Sequence, residues 1–122
     1  MANKLSKIVG SGQSGSSAQY ISGDAQSGVT ATGSTQGTAY QLTADNTAFS
    51  TVAASTGAIL QAGSPGDETF VYNGGANSLT VYPPVGGTIN NLSANTGFAV
   101  ATTKSCAFVQ VGAAAWAANL SA

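Results

Sequence analysis

Charge is what this chain has least of: 6% of its residues are charged, against roughly 25% in an ordinary soluble domain. Arg and His are absent altogether. Nucleic-acid binding draws its affinity from cations set against phosphates. Lys4, Lys7 and Lys104 are the only cations available, which excludes that class of partner. Without His, neither a Ser-His nor a Cys-His nucleophile can be assembled, and the nitrogen ligands of most zinc sites are missing. Cysteine is nearly missing too. The single Cys106 lies in the apolar run Ser105-Cys106-Ala107-Phe108-Val109, cannot form an intramolecular disulfide and reads as a small buried hydrophobe. No apolar stretch is long enough for a signal peptide or a membrane span. The expectation is a soluble chain made in the cytoplasm, with no membrane partner.

The acidic residues are as few as the basic ones. Asp24, Asp45, Asp67 and Glu68 are the whole set. Asp67 and Glu68 are neighbours and would point to opposite faces of a strand, so they do not make a carboxylate pair for acid-base catalysis. No loop gathers the acidic oxygens of a calcium site. None of the Gly-rich stretches runs into the Lys-Ser/Thr of a phosphate loop. The reading is therefore of a protein with no catalytic, metal or cofactor site, and of a structural role in place of an enzymatic one.

Bulky apolar side chains are scarce as well: Leu, Ile, Val and Phe together make up under about a fifth of the chain, near the level at which a highly charged chain would stay unfolded. Net charge is only -1, so self-repulsion does not oppose collapse. A thin core in a chain of 122 residues means one domain of limited stability, which association with neighbouring copies would reinforce. A surface so poor in charge is also weakly protected against association.

What is present falls into two parts. Residues 1–36 are rich in Gly, Ser, Thr, Gln and Ala and hold no sustained strand or helix period. They read as a flexible N-terminal arm that orders on a partner surface through main-chain hydrogen bonds. Its apolar hook is Leu5, Ile8 and Val9 beside Lys4 and Lys7, with Tyr20 and Ile21 further along.

Residues 37–122 show short β segments between turn residues. Strands are expected at Thr38 to Leu42, Thr47 to Val52, Gly57 to Gln61, Glu68 to Asn73, Ser78 to Tyr82, Thr88 to Asn90, Gly97 to Ala101, Cys106 to Val111 and Trp116 to Leu120. Asn73-Gly74-Gly75-Ala76-Asn77 reads as the reversal of a β-hairpin. Pro83-Pro84 ends the strand before it. Gly112 to Ala118 is the one stretch where a helical turn competes. An all-β, compact jelly-roll-like sandwich or small barrel of about eight antiparallel strands is expected.

Three aromatics, Tyr72, Tyr82 and Trp116, suit a core, a subunit interface or a sugar-stacking face, in that order. The sequons Asn91-Leu92-Ser93 and Asn119-Leu120-Ser121 carry no weight in a chain so rich in Asn and Ser. Ala44-Asp45-Asn46-Thr47-Ala48-Phe49 echoes Ser93-Ala94-Asn95-Thr96-Gly97-Phe98, which reads as shared turn-to-strand chemistry.

The run from Gly66 to Asn90, with Phe70-Val71-Tyr72-Asn73-Gly74-Gly75-Ala76-Asn77-Ser78-Leu79-Thr80-Val81-Tyr82-Pro83-Pro84 at its centre, continues through Leu92, Asn95 and Phe98. It resembles a pattern in small virion proteins of tailed bacteriophages. The resemblance implies a capsid decoration, or cement, protein: a β-rich, commonly trimeric subunit on the outer lattice of the major capsid protein, with an arm across neighbouring subunits. It brings no catalytic residues. A tail fibre or spike module contacting the host surface or a glycan is the second reading. The chain's start at Met and its end soon after the last expected strand favour the first.

Overall fold

The computed structural model describes residues 24–122, which form ten strands and no helix. Strands β1 (Ala25–Thr30), β3 (Asn46–Thr51), β5 (Glu68–Asn73), β9 (Ser105–Gly112), β10 (Ala115–Leu120) and β7 (Thr88–Ile89) lie side by side in that order in a large sheet. Strands β2 (Tyr40–Gln41), β4 (Gly57–Ile59), β6 (Leu79–Tyr82) and β8 (Phe98–Val100) form a smaller one.

The first six strands alternate between the sheets, odd numbers in the large and even in the small. Within each sheet they run parallel, β1 to β3 to β5 and β2 to β4 to β6. Parallel neighbours need a long crossover, and here each crossover is a strand of the opposite sheet. The chain winds as a β-solenoid-like coil, and each turn of the winding supplies one strand to each layer. Its second half closes the coil: β8 runs antiparallel to β6, and β9 and β10 add an antiparallel pair beyond β5. Strand β7 pairs parallel with β10.

Alternation along each strand decides which side chains enter the space between the layers. Phe49, Leu60, Val71, Val81, Phe108 and Trp116 are buried there, and Tyr40 and Phe98 meet Phe49 and Phe108 edge to face at 5.8 and 6.0 Å. The corner after β5 is held by a buried amide. Asn73 Nδ2 donates to the carbonyls of Asn77 (2.8 Å) and Val100 (2.9 Å), while its Oδ1 accepts the Gly75 N–H (2.9 Å). Gly75 packs against Val52 so closely that a Cβ would lie 2.5 Å from the Val52 nitrogen.

The all-β expectation holds. The antiparallel jelly-roll or barrel pairing does not describe the winding, because parallel ladders dominate its first half. Glu68 to Asn73 and Ser78 to Tyr82 do not pair as a hairpin: β5 belongs to the large sheet and β6 to the small one. The Asn73 bonds turn the chain across the core, and the two strands therefore separate. Gly112 to Ala118 is no helical turn; it carries the reversal from β9 into β10.

The part of the expected arm within the described residues also differs. Residues 25–30 pair with β3, Ala31 is buried and Thr32 bridges Gly57. The ordering entropy of this polar segment is offset by a ladder to the chain's own next coil, without any partner molecule. Lys4, Leu5, Lys7, Ile8, Val9, Tyr20 and Ile21 lie outside the described residues.

Candidate functional site

Strand β5 carries its two aromatic residues outward. Val71 and Asn73 point into the core, and Phe70 and Tyr72 point outward, 41% and 39% exposed. They stand near the middle of the large sheet. Phe70 lies between Asn46 and Ala107 in register, and Tyr72 between Ala48 and Ser105. Flanking side chains this small leave both rings above the sheet surface.

The next outward positions on β9 extend the patch: Val109 is half-buried beside Glu68, and Val111 is 61% exposed. On β10, Ala117 faces Val109 and Asn119 faces Ala107. Glu68 is the single charged residue in the six strands of this sheet. The face is broad, nearly uncharged and aromatic at its centre, the composition that marks protein-contact surfaces.

The three aromatics singled out from sequence do not meet in one patch. Tyr72 belongs to the outer face just described. Tyr82 is half-buried in the small sheet, where its hydroxyl donates to the Ser34 carbonyl at 3.3 Å. Trp116 is 5% exposed and belongs to the core, so it is withdrawn as an interface residue. Phe70, Val109 and Val111 were missed. The signal that could have found them is β5 itself, where large residues at consecutive positions must send some of their number outward.

A polar cleft of about 180 Å³ is lined by Asp45, Gln61, Gly63, Asp67, Glu68 and Gln110 among others. Two of its three carboxylates have structural tasks. Asp45 Oδ2 accepts the Asp24 N–H, and Asp67 Oδ2 accepts that of Ser64 at 2.9 Å. Gln110 Nε2 donates to the Gly63 and Gly112 carbonyls at 3.1 and 3.0 Å, leaving its buried Oε1 without a donor. Among the described residues no three His, Cys, Asp or Glu side chains gather closely enough to hold a metal ion.

Cys106 is buried, and that burial pushes its thiol up to about 11 from 9.0, with a hydrogen bond involving the Asn119 backbone opposing the shift in part. At neutral pH it is a protonated, inert thiol. No family model, no curated protein and no solved structure matches the chain.

Proposed function

We propose that this chain is a virion structural protein, a capsid decoration (cement) protein that binds the outer surface of the major capsid protein lattice and stabilises the head of a tailed phage, assembled as a homotrimer. The observation that carries the docking role is the outer face of the large sheet. Phe70 and Tyr72 rise from small neighbours on a surface with a single carboxylate, so contact with another protein covers apolar area without stranding charges. The likeness of the Gly66 to Asn90 run to small virion proteins supplies the identity of the partner. Self-association follows from the same feature, since an uncharged apolar face suits a second copy as well as a lattice.

Co-sedimentation with purified phage heads tests the reading. The chain is expected to pellet with heads, and its binding to change little between about 50 and 500 mM salt, because few charges contribute. Phe70→Ser with Tyr72→Ser is expected to abolish pelleting while leaving the fold intact. Heads that fail to bind the unaltered chain would refute the capsid role. Capture on a glycan array, lost in the same double variant, would favour the host-contacting module instead: Phe70 and Tyr72 are about 7 Å apart on one face and both offer ring faces for sugar stacking.

A further inference from the structure

Asn73 and Gly74 are the single Asn-Gly pair of the chain. In an unfolded chain such a pair is reactive. The Gly nitrogen, having lost its proton to solvent base, attacks the side-chain amide carbon of the Asn, and with no Cβ on glycine neither bulk nor backbone preference resists the geometry required. The new C–N bond closes a five-membered succinimide, and the bond to the amide nitrogen breaks with release of ammonia. Water then opens the ring at one carbonyl or the other. The product is aspartate or, with the main chain rerouted through the side chain, isoaspartate.

The fold opposes each part of this reaction. The Gly74 N–H donates to the Phe49 carbonyl at 2.8 Å, which retains the proton that the attacking nitrogen must lose. Gly74 is exposed, but Asn73 is 0% exposed. The Asn73 amide is held by the Asn77 and Val100 carbonyls and the Gly75 N–H. Its main chain is fixed as well: its N–H donates to the Lys104 carbonyl at 2.9 Å, and its carbonyl accepts the Thr103 N–H at 2.8 Å. Swinging the amide carbon toward the Gly74 nitrogen would break the side-chain bonds together, where the freed groups are buried and lose their partners.

The products do not fit the closed corner. An aspartate at position 73 would turn an oxygen toward two carbonyls where a donor now stands. Isoaspartate would add a main-chain carbon beside Gly75, which already packs against Val52 without room for a Cβ.

We infer that Asn73–Gly74 is a deamidation site that the native fold keeps closed and that unfolding opens, and that conversion there bars the chain from returning to the native state. The corner that needs Asn73 thus also records how long a chain has stayed unfolded. The inference does not depend on the capsid reading.

The test compares the whole chain in mildly alkaline buffer with the same chain in denaturant, following position 73 by peptide mapping that separates asparagine, aspartate and isoaspartate. Conversion is expected to be at least about 100-fold slower in the native chain, and its rate to rise with the unfolded fraction through the denaturant transition. A smaller ratio, or a rate that ignores the transition, would overturn the inference. Asn73→Gln, whose longer side chain closes a six-membered ring less readily, is expected to convert far more slowly in denaturant; because it is read unfolded, any loss of fold leaves the comparison intact. Equal rates for the two would overturn attack by the Gly74 nitrogen. After refolding of an aged sample, the native fraction is expected to retain asparagine at position 73 and the non-native fraction to hold the converted chains. Converted chains that refold as readily as unaltered ones would overturn the barrier to return.

Discussion

Replacing Asn73 by Ala would leave the Gly75 N–H and the Asn77 and Val100 carbonyls without their side-chain partner in a buried corner. The expected loss is about 3 kcal/mol in denaturant unfolding. Asn73→Asp is expected to cost at least as much, because a carboxylate would face two carbonyls in place of a donor. A loss under about 1 kcal/mol in both variants would mean that the corner is held by other bonds. Cys106 gives a second residue-level prediction. Its folded pKa is raised, so the protonated thiol is the folded form: stability is unaffected below about pH 9 and falls as pH rises from 9.0 through about 11. Thiol-reactive reagents at pH 8 are expected to label it only after denaturation. The burial of Cys106 was legible in its apolar neighbours. For Trp116 the sequence ranked core ahead of interface, and the register against Gln110 fixes it inward.

Strand positions followed from turn residues, and β5 and β6 fall within a residue of where Gly, Pro and Asn punctuation put them. Pairing direction was not legible. An Asn-Gly-Gly turn after a strand serves a hairpin or a coil corner equally well, and the difference lies in where the Asn73 side chain finds its acceptors. Strand β1 was hidden for another reason: Ala25–Thr30 offers only Val29 as a large residue, and its ladder to β3 does what hydrophobicity does elsewhere. Gly75→Ala tests the coil corner at this scale. The close approach of Val52 predicts a loss of about 1–3 kcal/mol, and an unchanged denaturation midpoint would show that the two segments separate freely.

For the whole molecule, the all-β class was legible in the turn-punctuated sequence, and the winding of its strands was not. The large sheet has a face that is nearly free of charge, and the described residues of the expected arm, 25–30, belong to that sheet as a strand beside β3. Phe70→Ser and Tyr72→Ser should each cost about 1–2 kcal/mol, since part of each ring is covered in a central strand, less than the core substitution that follows, which separates binding from folding. Trp116→Ala should cost about 3–5 kcal/mol by the same thermal or denaturant melt. The most direct test of the docking role is an electron cryomicroscopy reconstruction of phage heads saturated with this chain. The account predicts density on the outer lattice with the face bearing Phe70 and Tyr72 turned against the capsid or against a neighbouring copy; that face turned to solvent, with the contacts made elsewhere, would contradict it.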